Sequence, residues 1–104
     1  MFQFIKDYIF KSSSQQIQER IRTDKEVFAI LKRFHQDIGG TTISLKPSKY
    51  VGRGRHVVVS SDGETEYIVD FSKGKITSTT ISPNGRQKIV NYDMITRQYD
   101  KKVV

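Results

Sequence analysis

The chain has 104 residues, of which 36% are hydrophobic and 28% charged, with a formal net charge of +7 and no cysteine. This length suits a single core, the missing thiol excludes disulfides, thiolate metal sites and a cysteine nucleophile, and no stretch approaches the ~20 apolar residues of a membrane-spanning helix. One domain over residues 1–104, cytoplasmic and without a membrane partner, is the expectation.

Near the N-terminus, Phe2, Ile5, Tyr8 and Ile9 share one side of a short amphipathic helix, which the serines at 12–14 interrupt. Ser13 with Gln16, and Thr23 with Glu26, have the spacing of a capping box. The stripe Ile17, Ile21, Val27, Phe28, Leu31, Phe34 and Ile38 then predicts a helix from about Ser14 to Asp37, bent near Thr23. Gly39 and Gly40 supply its left-handed stop. Residues 1–40 thus form a helical part, as one helix or a helix pair.

After Gly40 the period changes from 3.6 to short β-rich runs punctuated by turn residues. Thr41 to Lys46, Arg55 to Ser60 and Thr65 to Phe71 read as three strands, and Lys75 to Ser82 as a fourth. In that fourth run Ile76 and Ile81 have opposite parity, so both reach the core only through a bulge. Ser61-Asp62-Gly63, Ser72-Lys73-Gly74 and Ser82-Pro83-Asn84-Gly85 read as tight turns between antiparallel neighbours. Arg86 to Tyr92 reads as a fifth strand, whereas Tyr92, Ile95, Tyr99 and Val103 have helical spacing and favour a short C-terminal helix. The fold class is therefore α+β: the N-terminal helix or helix pair on one face of a four- to five-stranded antiparallel meander (residues 41–104 with the tail), its other face partly open.

Charge is unevenly spread. Residues 41–61 carry Lys46, Lys49, Arg53 and Arg55 with no acid, whereas residues 62–75 carry four acids and two bases. The segment Lys46-Pro47-Ser48-Lys49-Tyr50-Val51-Gly52-Arg53-Gly54-Arg55-His56 combines cations, an aromatic and glycines. Glycines permit close backbone approach, arginines hold phosphates in bidentate fashion and a tyrosine stacks on a base. Lys46, Lys49, Tyr50, Arg53, Arg55 and His56 are accordingly the candidate nucleic-acid-binding residues, for RNA or single-stranded DNA.

Two other readings compete. Metal-independent RNA cleavage needs a base, an acid and phosphate-binding cations, which His56 with Arg53, Arg55 and Lys46 could supply, joined by His35 only if the fold brings it there. A non-enzymatic accessory protein would instead cover an acidic protein surface. Phe2, Phe4, Ile9 and Phe10 are then either core or the contact for a partner, a second copy in a homodimer included. Asp62, Glu64, Glu66 and Asp70 flank a surface hairpin and fit turn chemistry better than a metal site, and no phosphate-cradling, dinucleotide or hydrolase motif occurs. No cofactor and no metal are expected.

Overall fold

The structure is a computed structural model that describes residues 20–41 and 44–104. Among the described residues it is α+β: one helix, α1 (Asp24–Ile38), and one six-stranded antiparallel sheet of β1 (Lys49–Gly52), β2 (Arg55–Val59), β3 (Thr65–Asp70), β4 (Lys75–Ile81), β5 (Gln87–Asp93) and β6 (Tyr99–Val103). The strands lie in chain order, β1-β2-β3-β4-β5-β6, so the sheet is a simple meander. Phe2, Phe4, Ile9 and Phe10 lie outside the described residues.

The Thr23 capping box forms. The Thr23 hydroxyl accepts from the Glu26 N–H at 3.2 Å, and the Glu26 carboxylate accepts from the Thr23 N–H at 3.2 Å. An N-cap needs extended backbone, and Thr23 has it, with ψ 159°. Arg20 to Thr23 are therefore not helical, and the expected run from Ser14 to Asp37 does not continue through Thr23. Gly39, with φ 77°, ends α1 as anticipated.

The three turns read from Ser, Asp, Asn and Gly all connect antiparallel neighbours, and the Asp carboxylate and Asn amide oxygens fasten them. Asp62 Oδ1 accepts from the Ser60 hydroxyl (2.5 Å) and the Glu64 N–H (3.0 Å), and Asp70 Oδ1 from the Ser72 and Lys73 N–H groups at 3.1 and 3.0 Å. Asn84 Oδ1 accepts from the Arg86 N–H at 3.1 Å. Among the described residues no three acids or histidines converge as a metal site would require.

Three details depart from the sequence reading. Of the expected strand Thr41 to Lys46, the described residues 44–46 form only a short bridge, Leu45 opposite Ser60 with the Lys46 N–H on the Val59 carbonyl at 2.9 Å, and Pro47, which lacks an N–H, separates it from β1. The described residues form six strands, not four or five. The tail is a strand rather than a helix, because Asp93 Oδ1 takes the Ile95 and Thr96 N–H groups (2.8 and 3.0 Å) and turns the chain back on β5. Tyr92 and Tyr99 become cross-strand partners, and Ile95, at the turn, is 83% exposed.

Ile76 is fully buried while Ile81 is 50% exposed, so their opposite parity puts them on opposite faces and β4 pairs with β5 without a break. The sheet's irregularity falls instead in β1, between Tyr50 and Gly52.

The inner face carries Val58, Tyr67, Val69, Ile76, Val90 and Tyr92, and α1 lays Val27, Leu31 and Phe34 over them. Phe34 meets Tyr67 and Tyr92 edge-on, with ring centroids 6.1 and 5.2 Å away. Full burial of such side chains is worth about 1.5–3 kcal/mol each, which holds the helix to the sheet. Polar contacts fix its orientation: His35 Nε2 and Tyr67 Oη share a hydrogen bond of 2.7 Å, Arg33 donates to the Met94 carbonyl at 2.5 Å, and Arg97 grips Asp37 through two 2.7 Å bonds. No described element covers the outer face. None of the described helices is long and apolar enough to cross a membrane.

Candidate nucleic-acid interface

The segment 46–56 is not a loop between strands. It contains β1, a two-residue turn and the start of β2, with Gly52 and Arg55 as partners across the turn. The turn residues Arg53 and Gly54 have φ 55° and 74°. Two successive positive φ angles define the tight hairpin turn whose twist matches that of its strands, a place normally taken by Asn, Asp or Gly. Left-handed backbone strains any residue with a Cβ, by about 1–3 kcal/mol, and here that residue is an arginine.

The turn is held from several sides. The Gly54 N–H donates to Tyr50 Oη at 3.2 Å, the Phe71 N–H donates to the Gly54 carbonyl at 2.9 Å, and the Ser72 hydroxyl donates to the Arg53 carbonyl at 3.0 Å. The β1–β2 turn is thus docked on the β3–β4 turn. At the start of β1, the Ser48 N–H and hydroxyl both donate to Asp24 Oδ1, at 2.9 and 2.5 Å, tying the hairpin to the first turn of α1. The Ser48 hydroxyl is the main reason that the Asp24 carboxyl titrates below its ordinary value.

His56 occupies the centre of this support. It is 1% exposed and packs edge-on against Tyr50 and Phe71, with centroids 5.1 and 5.7 Å away. Its Nε2 accepts the Arg22 backbone N–H at 3.1 Å, which places the ring proton on Nδ1, itself buried without a partner. The Arg22 guanidinium lies over Phe71, 4.5 Å from the ring centre. Burial first, and the Arg22 cation second, push the His56 pKa down, so the ring is neutral at pH 7. A general base has to meet the proton it removes. His56 is enclosed, and its one lone pair is already engaged.

His35 sits elsewhere on the inner face, 9% exposed and bonded to Tyr67, whose hydroxyl burial pushes up to about 12. Its partners and those of His56 do not overlap. Tyr50 is half-buried, with its ring against His56 and its hydroxyl on the turn.

Lys46, Lys49, Arg53 and Arg55 are all exposed. Lys49 and Arg55 sit on the outer face, as their partners Val57 and Asp70 do, and Arg55 also donates to the Gly52 carbonyl at 3.3 Å. No described residue engages the Arg53 guanidinium, and the residue is exposed. The outer face itself is aliphatic and polar, with Val57, Ile68, Thr77 and Asn91 aligned across β2 to β5. Tyr67, Tyr92 and Tyr50 are on the inner side with the buried row, and no aromatic residue lies on the outer face of the described strands. The arrangement can hold phosphate oxygens along a strand edge but offers no platform for stacked bases.

Sequence reading did not find Arg22, Asp24, Phe71 and Ser72 as the hairpin's supports. They are distant in sequence and carry no motif, and only the Arg-Gly pair hints at the tight turn. No family model matches the chain, and no curated protein or solved structure matches it.

Proposed function

We propose that the protein is a small non-enzymatic binding module that contacts the phosphate backbone of RNA or single-stranded DNA through Lys46, Lys49, Arg53 and Arg55. The observation that carries this reading is Arg53: an exposed cation whose guanidinium no described residue engages, kept in left-handed backbone at the tip of a braced turn. Strained positions persist where the surrounding structure over-determines them and function uses them. Among the described residues the other non-glycine residue with positive φ, Arg97, has an internal explanation in its two bonds to Asp37, whereas no described residue engages the Arg53 guanidinium. Recognition of this kind is electrostatic and weakly dependent on sequence.

Fluorescence-anisotropy titration against labelled single-stranded RNA, single-stranded DNA and duplex DNA, across a salt series, tests it. Binding that is salt-dependent and leaves the RNA intact on a gel is expected. In Arg53→Ala/Arg55→Ala the slope of log affinity against log salt should fall by roughly 1.4 for single strands, about 0.7 per lost contact. An unchanged slope would sink the assignment, and shortened RNA would revive the ribonuclease reading.

A second reading, a protein-binding accessory module, is favoured by one observation: Ile68 and Ile81, on the outer face that no described element covers, are 38% and 50% exposed. It predicts only background affinity for nucleic acid and a partner whose capture Ile68→Lys abolishes.

A further inference from the structure

We propose that two copies of this chain pair through β6, antiparallel and centred on Lys101, to form one continuous twelve-stranded sheet.

The argument begins with the hydrogen bonds. Gln87 and Val104 exchange both backbone bonds, at 3.2 and 2.8 Å, and the Asp93 N–H donates to the Gln98 carbonyl at 2.9 Å. Directions alternate along an antiparallel strand, so Asp100 and Lys102 also turn their N–H and C=O groups towards β5. Tyr99, Lys101 and Val103 turn theirs away, to the sheet edge that no described strand pairs. That edge has five exposed residues and neither proline nor bulge.

A second copy must present outward-turned residues against these three. Centring the pair on Lys101 opposes Tyr99 with Val103, Lys101 with Lys101 and Val103 with Tyr99, and uses every outward backbone group on both strands. Sliding by two residues loses pairs and puts Asp100 opposite Asp100, or Lys102 opposite Lys102. The centred register instead opposes Asp100 with Lys102 on both sides of the twofold axis. Those two are non-hydrogen-bonded pairs, where side chains come closest.

The charge pattern of this strand is therefore complementary to its own reversal, and this identifies a second copy as the occupant. Isologous pairing requires such self-complementarity. The apolar side chains agree: Tyr99 and Val103, 44% and 67% exposed, would each meet the other's counterpart on the inner side. The remaining like pair is Lys101 with Lys101. Its ammonium leans over Tyr99 of its own strand, 5.6 Å from the ring centre, and so stays off the axis. Edge lysines usually deter strand addition. Here Asp100 and Lys102 restrict it to one register and one partner. The twofold axis runs perpendicular to the sheet, so both outer faces, and both β1–β2 hairpins, lie on the same side of the dimer.

Sedimentation velocity of the full chain over a concentration series tests the pairing. The wild type should dimerise. Asp100→Lys should weaken association about tenfold or more, since it turns two attractive pairs into repulsive ones, and Asp100→Lys/Lys102→Asp should restore it. Lys101→Thr should tighten it. The chain has no cysteine of its own, so Lys101→Cys should cross-link under oxidation, its Cα facing its copy at roughly 5.5 Å, whereas Lys102→Cys should not. A chain that stays monomeric, also as Lys101→Thr, overturns the proposal. So does a dimer indifferent to the charge exchange, or one in which Lys102→Cys cross-links as readily.

Discussion

Arg53→Gly separates what the first hairpin does for the fold from what it does for a ligand. Left-handed backbone costs an L-residue about 1–2 kcal/mol, and glycine returns roughly 0.5–1 kcal/mol of that as extra entropy lost on folding. Arg53 has φ 55°, and no described residue engages its guanidinium. Its replacement by glycine should therefore stabilise the domain by about 0.5–1 kcal/mol, which in a domain of this size raises Tm by roughly 2–6 °C. Arg53→Ala keeps the Cβ and hence the strain, and should stay within about 0.5 kcal/mol of wild type. Both variants lose the same charge, so both should lower the salt slope on single-stranded RNA by about 0.7, while Arg53→Lys should keep it. Thermal denaturation and anisotropy on the same four proteins give the two readouts. Equal stability of the glycine and alanine variants would refute the strain argument, and an unchanged slope in both would refute Arg53 as a phosphate contact.

Other perturbations probe the rest of the structure. Phe34 has no exposed surface and meets two tyrosines of the sheet, so Phe34→Ala should cost about 3–5 kcal/mol by urea denaturation with little change in m; a loss under about 1 kcal/mol would contradict its place in the core. Arg97 first, then the Tyr92 hydroxyl, hold the Asp37 carboxyl at about 2 against an ordinary 3.8. Because the folded value is the lower one, this stability is present above 3.8 and lost as pH falls towards 2. Asp37→Asn should be less stable than wild type at pH 7, with the gap closing between pH 4 and pH 2, and a gap that persists at pH 2 would exclude this cause. Burial holds His35 and His56 below their ordinary 6.5. Their contribution is complete above pH 6.5 and declines as pH falls through the folded values, so stability should drop from pH 7 to pH 5, and less steeply in His56→Gln. A flat profile over that window in the wild type would show that the imidazoles are not kept neutral by the fold.

Much of the fold was legible because local chemistry agreed with the final topology. Thr23 with Glu26 carried the cap signature where α1 begins, although the helix was expected from about Ser14 with a bend there; Gly39 marked its end, and the Asp and Asn turns marked three hairpins without tertiary information. Parity decided β3, where buried Tyr67 and Val69 alternate with exposed Glu66 and Ile68. Reading failed where one pattern served two geometries. Tyr92, Ile95, Tyr99 and Val103 satisfy helical spacing, but a seven-residue interval also spans a hairpin whose turn Asp93 caps. The site was legible only as composition. The four cations could be read from the chain, but not the burial of His56, which depends on Arg22 arriving from in front of the helix, thirty-four positions away.

That long-range contact explains why the two ends of the sheet can take different tasks. The start of α1 is tied to the first hairpin by Asp24 on Ser48, and Arg22 just ahead of it is tied by His56. Its last turns are tied to the β5–β6 turn by Arg33 on Met94 and Asp37 on Arg97. The helix is a strut running between opposite edges of the sheet, and the polar groups that set its ends are spent on the inner face. What is left for partners is what the strut does not use: the cations around β1, the aliphatic outer surface, and the backbone edge of β6. A ligand at the first hairpin and a second copy at β6 would share no residue, so neither needs to displace the other. A β6-paired dimer would carry its two basic hairpins at the far ends of one twelve-stranded sheet, roughly 50 Å apart at about 4.8 Å per strand. A nucleic acid long enough to reach both would gain from the linkage, with the second contact made at the effective concentration set by the first.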